Sequence, residues 1–289
     1  MCDPMSISLV PTPFDLREAR DPIALCLGWD VGGWHGRKDG LGAVALYDDG
    51  TLHRVGHGKQ ASLGRMIAAG VLALEDLLGM VGMLRSDPWP RILIGIDAPL
   101  GLPEAFVEST AGRITNASPR LGELPIAVIE NRLAYRDTER AVFAEYKSYL
   151  RPGWRPLSPS FDGMGSNVSK ARAAVSQLRF LDSARVCLVP FESDAKTVAV
   201  LEVYPALWSA IPEPELDSSA ARVLEVAKTE ASPDVRDGLL CALSAACYER
   251  TRLHLGVFPE VILPPDNERI KVEGWIYAPR PGNRLTVET

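Results

Sequence analysis

Short apolar runs that end in polar turns alternate along this chain with stretches in which apolar residues recur every three or four positions. The short runs predict β-strands, since they are apolar throughout and are bounded by Gly, Pro or Asp. The second and third runs flank Asp48-Asp49-Gly50, a sequence typical of a tight hairpin turn. The chain therefore predicts three antiparallel strands followed by two more, over residues 23–30, 42–47, 51–55, 91–96 and 197–204.

The stretches with helical periodicity predict α-helices. The last of them begins at Ser232-Pro233, because Ser suits the N-cap and Pro suits the first helical position. The predicted helices cover residues 63–85, 125–149, 170–181, a stretch up to about 228 and the long run after 232, with a polar loop over 158–169. This order of elements predicts an α/β fold, in which a mixed five-stranded sheet carries helices on both faces.

The length of 289 residues is compatible with one large domain or two smaller ones. Residues 1–21 contain three prolines and mixed charge, and they are predicted to form an N-terminal arm. Residues 22–289 are predicted to form a single domain, with a helical insertion at about 104–190. The sequence gives no indication of the oligomeric state.

Charge and cysteine content narrow the classes of function. The formal net charge of −6 argues against binding nucleic acid by bulk electrostatics, although bound metal ions and a local basic patch would still permit a nuclease. The five cysteines are scattered and show no C-x-x-C spacing, which favours a reduced protein without structural zinc. Since no apolar stretch is long enough to span a bilayer and no signal-peptide pattern is present, we predict a cytoplasmic protein without a membrane partner.

Four aspartates lie at the ends of predicted strands or at the start of a predicted helix, where catalytic or metal-binding residues are expected. Asp30 ends the first apolar run, Asp97 ends the fourth strand, and Asp234 and Asp237 open the last long helix. A carboxylate at the end of a buried strand is costly unless its charge is compensated. Several such carboxylates converging on one point are typical of a divalent-cation site. We therefore predict that these four residues hold Mg²⁺ or Mn²⁺ and act in phosphoryl chemistry.

Each acidic residue also has a structural alternative. Asp30 and Asp97 are suited to accept backbone hydrogen bonds in the turns that follow them. Asp234 is suited to interact with the dipole of its helix. Glu202, late in the fifth strand, is either a further catalytic carboxylate or the partner of an arginine such as Arg236. The residues alone leave these alternatives open.

Basic residues are the candidates for substrate binding. Arg132, Arg136 and Arg140 recur at intervals of four and form one stripe if 125–149 is helical, and Arg155 and Lys170 follow. A solvated face paired with neighbouring acidic residues is the commoner explanation of such a stripe. The functional interpretation is that these five residues contact substrate phosphates beside the metal site.

The order of elements and the positions of the carboxylates resemble the RNase H-like superfamily of metal-dependent nucleases and resolvases. More closely, the chain resembles a family of predicted RNase H-fold nucleases known as domain of unknown function 429. The matching segments are 28–30, 95–103, 138–140, 201–205, 237–243 and 273–279. The resemblance implies an RNase H-like fold and a nuclease in which Asp30, Asp97 and Asp237, with Asp234 or Glu202, hold two Mg²⁺ or Mn²⁺ ions and nucleic acid is the substrate.

Two alternatives belong to other classes. An actin-like, ATP-dependent phosphotransferase would share this type of sheet, and Asp30-Val31-Gly32-Gly33 faintly resembles its first phosphate loop. However, Asp97-Ala98-Pro99 has proline where a D-x-G-T-like turn is expected. A non-catalytic binding module on the same fold is the other alternative, and it would be supported by failure to bind divalent metal.

Overall fold

The computed structural model describes residues 21–34, 38–83, 89–112, 128–181, 186–192, 194 and 196–282. Its strands are β1 Ala24–Asp30, β2 Asp39–Leu46, β3 Leu52–Arg54, β4 Lys59–Ala61, β5 Ile92–Asp97, β6 Val186–Val189 and β7 Val198–Glu202. Its α-helices are α1 Gly64–Ala68, α2 Leu74–Met80, α3 Glu104–Thr110, α4 Asp137–Tyr146, α5 Gly165–Leu181, α6 Ser218–Lys228, α7 Pro233–Arg252 and α8 Ile270–Glu273. The arm predicted over 1–21 lies outside the described residues, apart from its last residue.

The strands form one mixed sheet in the order β3-β2-β1-β5-β7-β6, with β4 also paired to β2. Strands β1, β2 and β3 pair antiparallel, and β1, β5, β7 and β6 run parallel. The predicted α/β class, with helices flanking a mixed sheet, is confirmed. The predicted number of five strands was wrong, because the described residues form seven. The two additional strands, β4 and β6, span three and four residues and are too short to show a period of two.

The helix predicted over 63–85 is instead two short helices, α1 and α2. Gly70, with φ of 72°, ends α1 in the left-handed conformation. The N–H of Gly70 donates to the carbonyl of Ile67, and the N–H of Val71 donates to that of Met66. This pair of bonds is the Schellman motif, and it stops the helix although apolar spacing continues beyond it.

The helix predicted over 125–149 was also too long. In the described part of that segment, Val128–Glu130 forms a single 3-10 turn and α4 begins only at Asp137. Arg136 is extended, and its N–H donates to Oε2 of Glu139 at 2.7 Å, which caps the helix at that point. By contrast, α5 begins at Gly165, inside the predicted loop.

The sheet separates two apolar layers. Alternate residues of β1, such as Ala24 and Cys26, face the layer that contains α6, α7 and the C-terminal segment 275–278. The intervening residues, such as Leu25 and Trp29, face the layer formed with α1, α2 and α5. Because this period of two continues to the end of each strand, it decides which face the terminal carboxylates occupy.

Helix α7 lies directly against the backbone of three strands. Gly42, Gly28 and Gly95 are register partners across β2, β1 and β5. A Cβ atom at Gly28 would lie 1.9 Å from the carbonyl oxygen of Gly238, and one at Gly95 would lie 2.5 Å from that of Cys241. Since no side chain fits at these positions, the row of glycines forms a shallow trough that holds the helix.

The cysteines in the described part of the chain are core residues. Cys26, Cys187, Cys241 and Cys247 are buried and unbridged. Burial raises the pKa of the Cys26 and Cys241 thiols well above the ordinary value, which keeps both protonated. Among the described residues, no helix combines the length and the apolar character that crossing a bilayer requires.

Candidate active site

Asp30 and Asp97 lie side by side at the carboxyl ends of β1 and β5. The two strands are parallel, and the two aspartates are register partners. By alternation with Cys26 and Leu93, which belong to the α7 layer, both carboxylates are placed on the face that α7 covers. The carboxyl ends of parallel strands are where open α/β sheets bind ligands.

Helix α7 brings two more carboxylates to the same place. Ser232 caps its N-terminus through its side-chain oxygen, as predicted, and Pro233 is its first residue. Asp234 and Asp237 therefore lie in its first turns, and both line the pocket that contains Asp30 and Asp97.

Three of these aspartates influence one another electrostatically. Burial raises the pKa of Asp97 well above its ordinary value, and the charges of Asp30, Asp237 and Glu202 raise it further. Asp97, Asp30 and Asp237 also add to the effect of burial on the thiol of Cys241, one turn further along α7. We call Asp30, Asp97 and Asp237 the acidic cluster, since their charges act on shared neighbours at short range.

A pocket of about 340 Å³ opens at the acidic cluster. Its charged lining residues are Asp30, Asp97, Glu139, Glu202, Asp234, Asp237, Lys38 and Arg136. Carboxylates thus outnumber cationic groups among the described lining residues. An excess of negative charge in a partly enclosed site favours the binding of cations.

Glu202 is held in a buried ion pair. Its carboxylate accepts a hydrogen bond from Nη1 of Arg136 at 2.8 Å and from the N–H of Leu100 at 2.9 Å. Burial raises the pKa of Glu202, although Arg136 offsets part of that rise. Arg136 is itself fully buried and pairs with Glu139 as well. Two carboxylates therefore share one guanidinium behind the acidic cluster.

The sequence left two interpretations of Glu202 open, and the structure favours the ion pair. The partner is Arg136, whereas Arg236 pairs with its neighbour Asp237 at 2.9 Å. Alternation along β7 places Glu202 on the opposite face from Leu201, which packs in the α7 layer. For this reason Glu202 does not join the row formed by the strand-end aspartates.

Asp234 is linked to the first half of the chain through Gln60 on β4. Nε2 of Gln60 donates to Oδ2 of Asp234 at 2.5 Å, and Oε1 of Gln60 accepts from Nζ of Lys38 at 2.9 Å. Lys38 is exposed and lines the pocket. Lys38 could not be identified from the sequence, because it is the register of β2 against β1, with Gly40 opposite Asp30, that brings it near the aspartates.

The stripe predicted from Arg132, Arg136 and Arg140 does not form. Arg132 is exposed in a turn before α4, Arg136 is the buried residue that precedes the helix, and Arg140 pairs with Asp137 inside it. The three residues share no helical face, since the helix begins only after Arg136. Of the three, Arg136 lines the pocket, and its guanidinium serves carboxylates of the protein itself.

Arg155 and Lys170 are also engaged within the protein. Arg155 donates to Asp162 at 2.9 Å and contacts the hydroxyl of Tyr135. Lys170 is buried and pairs with Asp39 at 2.7 Å. The structure therefore gives no support to substrate contact by either residue.

The Asp39–Lys170 pair fixes the segment that follows Asp30. Asp39 Oδ1 accepts from Nε1 of Trp29 at 3.0 Å and from the N–H of Gly32 at 3.1 Å, and Lys170 donates to the carbonyl of Gly32 at 3.1 Å. Nδ2 of Asn167 donates to the carbonyl of Val31 at 2.8 Å. One turn of α5 thus holds the backbone beside the acidic cluster, through residues distant in sequence that no local pattern would identify.

The donor chemistry of the cluster fits Mg²⁺ or Mn²⁺, since both prefer carboxylate oxygens and would offset the burial and the repulsion that together raise the pKa of Asp97. Within the described ranges, however, no three or more His, Cys, Asp and Glu side chains are already arranged to hold a metal ion. The ligand set of Asp30, Asp97, Asp234 and Asp237 stays a prediction, and binding would require these side chains to adjust.

In comparisons with protein-family models, curated proteins and solved structures, nothing matched this chain. The resemblance to RNase H-like nucleases therefore stays a prediction from sequence motifs. What can be argued about function comes from the geometry of the pocket.

Proposed function

We propose that this chain is a metal-dependent nuclease that hydrolyses phosphodiester bonds, with an RNase H-like fold. One observation carries the proposal: Asp30 and Asp97 are register partners at the ends of parallel strands, and the charge of Asp237 on α7 acts on the carboxyl of Asp97. The mixed sheet, with its antiparallel strands first and its parallel strands after, is the type of sheet that the fold requires.

Asp30, Asp97 and Asp237 would hold Mg²⁺ or Mn²⁺, with Asp234 as a further candidate. The bound ion would lower the pKa of a water molecule and neutralise charge that develops on the phosphate. In the hydrolysis, the oxygen of water bonds to phosphorus while the bond to the leaving oxygen breaks, and the leaving oxygen gains a proton.

The surrounding residues position these groups. The Asp39–Lys170 pair holds the backbone after Asp30, and the Arg136–Glu202 pair holds the turn after Asp97 through the N–H of Leu100. Lys38, the residue before β2, lines the pocket and donates to the neutral amide of Gln60, so its charge is suited to bind a substrate phosphate.

An actin-like phosphotransferase is less well supported. In that alternative the backbone of Asp30-Val31-Gly32-Gly33 would bind nucleotide phosphates. Here the N–H of Gly32 donates to Asp39, and the carbonyls of Val31 and Gly32 accept from Asn167 and Lys170. Because these backbone groups already form hydrogen bonds within the protein, the segment is poorly suited to act as a phosphate loop.

The test is a cleavage assay with Mn²⁺ or Mg²⁺ on single-stranded, duplex, hybrid and branched nucleic acids. Asp97→Asn keeps the side-chain shape and removes the charge, and we expect it to abolish cleavage. Asp266→Asn changes an exposed aspartate that does not line the pocket, and it is the matched control. Equal cleavage by wild type and Asp97→Asn would refute the assignment. Metal binding without cleavage would redirect the search to small phosphorylated molecules.

A further inference from the structure

The pocket differs in chemistry from one side of the sheet to the other. Lys38 precedes β2, Asp30 and Asp97 end β1 and β5, and Tyr204 follows β7. These four strands are consecutive in the sheet. At a spacing of about 4.8 Å between strands, β2 and β7 are about 14 Å apart. A ligand that spans the pocket would therefore meet a cationic side, an acidic centre and a third side beside Tyr204.

That third side is apolar and partly exposed. Leu157 and Met164 line the pocket there, together with Tyr204. Phe161 lies in the same loop with 59 % of its surface exposed, and Leu157 is 48 % exposed. The ring of Phe161 meets that of Phe106 edge to face, with centroids 5.9 Å apart. We call these five residues the apolar rim.

Leu157, Met164 and Tyr204 of the apolar rim line the same pocket as the aspartates, and Phe161 lies beside that pocket lining, four residues after Leu157 in the same loop. Clustered exposed apolar side chains beside a polar pocket are typical of a binding surface. A face of Phe161 remains open to solvent because its partner Phe106 meets it edge to face. A planar apolar group attached to a phosphodiester would fit this combination.

We infer that the apolar rim binds an unpaired nucleobase, so that the substrate is single-stranded nucleic acid. This inference rests on the proposed nuclease function and names its substrate class. With a net charge of −6 and an acid-lined pocket, the protein gains little affinity from phosphates alone, so stacking must supply much of it. Bases inside a duplex already have both faces covered by their neighbours. A pocket of about 340 Å³ is at the small end of ligand sites, a size suited to a group such as one nucleotide.

The experiment is fluorescence anisotropy with the full chain and short labelled DNA and RNA strands, each tested single-stranded and as a duplex. Ca²⁺ replaces Mn²⁺, since it accepts the same oxygen donors, and a gel checks that the strands stay intact. Phe161→Ala and Leu157→Ala should raise the Kd for single strands about 5- to 150-fold, the range for loss of one stacked base. Phe180→Ala is the matched control, because Phe180 is 87 % exposed and lies at the far end of α5, about 20 Å along the helix axis from Gly165. It should leave the Kd unchanged.

Three results would overturn the inference: an unchanged Kd in Phe161→Ala, tighter binding of duplex than of single strands, or an equal loss in Phe180→Ala. If Phe161→Ala lowers the melting temperature and leaves the Kd unchanged, the rim is a packing surface of the chain and the inference is wrong. The two proposals fail separately. If Phe161→Ala cleaves its substrate with an unaltered KM, the base-binding site is refuted and the nuclease proposal stands. If strand binding depends on Phe161 but no strand is cleaved, the nuclease proposal is refuted and the base-binding site stands.

Discussion

Replacing Asp97 by Asn should stabilise the metal-free protein while destroying its proposed activity. Burial and the charges of Asp30, Asp237 and Glu202 raise the pKa of Asp97 in the folded state. The folded protein therefore holds this proton to a higher pH than the unfolded chain does. The free energy of unfolding of the wild type should fall as pH rises from the ordinary aspartate pKa of the unfolded chain to the raised pKa of folded Asp97. Over this range the unfolded chain loses the proton readily, whereas ionisation of Asp97 is unfavourable in the folded protein.

The size of the effect follows from the register of β1 and β5. Asp30 and Asp97 are partners on neighbouring strands, and two full charges separated by the usual strand spacing of about 4.8 Å would repel by about 3 kcal/mol at an effective dielectric constant of about 20. A buried amide that lacks a partner costs about 1–3 kcal/mol, which offsets part of the gain. We expect Asp97→Asn to be about 1–2 kcal/mol more stable above the raised pKa. That corresponds to a rise in Tm of about 2–8 °C for a chain of this size.

The assay is thermal unfolding in EDTA from pH 5 to pH 9. The difference between Asp97→Asn and wild type should be small at low pH, where Asp97 is already protonated, and should grow as pH rises. Adding Mn²⁺ should raise the Tm of wild type more than that of the variant. A variant less stable than wild type at every pH would refute the reasoning, since it would show that favourable hydrogen bonds hold the carboxylate.

Asp217→Asn is the control of opposite sign. Burial alone would raise the pKa of Asp217, but hydrogen bonds from Arg250 and Ser219 outweigh burial and lower the pKa. Asp217 also caps α6 through the N–H groups of Ser219 and Ala220. Its carboxylate therefore contributes stability above the ordinary aspartate pKa, and this is lost as pH falls through the lowered one. At pH 7 Asp217→Asn should lower the Tm.

Lys38→Met should raise KM about tenfold or more without changing the fold, as expected for loss of one charge-assisted hydrogen bond. Lys59→Met, at an exposed position on β4, should leave KM unchanged. Equal KM values for the two variants would show that Lys38 does not bind the substrate. Lys170→Met leaves the buried Asp39 charge unpaired and should cost about 3–5 kcal/mol in chemical denaturation. The loss should be smaller when Asp39→Asn accompanies it, and additive losses would contradict the ion-pair explanation. Gly28→Ala should lower the free energy of unfolding by more than about 3 kcal/mol, the upper end of typical overpacking, because the added Cβ would meet the backbone of α7. A native circular dichroism spectrum with an unchanged Tm would contradict the close approach of α7 to β1.

Much of the sheet could be predicted from local pattern, because long apolar runs and a D-G turn are local signals. The five strands that were predicted, β1, β2, β3, β5 and β7, and the cap at Ser232 depend on residues adjacent in sequence. The short strands β4 and β6 could not be predicted, since each is stabilised by pairing with a distant strand. Helix ends were misplaced where a single bond pattern overrides apolar spacing, as at Gly70 and Glu139.

The same division applies to the site. Asp30 and Asp97 could be identified because a charge at the end of an apolar run is visible in the sequence. The roles of Lys38 and Lys170 could not, since only tertiary structure decides which lysine is exposed in the pocket and which is buried against an aspartate. Arg136 shows the limit of periodicity most clearly. Its spacing suggested a solvated stripe, and its position before the helix buries it instead.

The glycine trough under α7 has a consequence for evolution and engineering. Because Gly28, Gly42 and Gly95 let the helix rest on the backbone of the strands, the position of Asp237 relative to Asp30 and Asp97 does not depend on the volumes of core side chains. Substitutions among the apolar residues elsewhere in the two layers should therefore change stability with little effect on the spacing of the aspartates. The glycines under α7 thus set the spacing of the three aspartates through contact between backbones, so that spacing should tolerate changes in the larger core side chains but not a side chain added at Gly28 or Gly95.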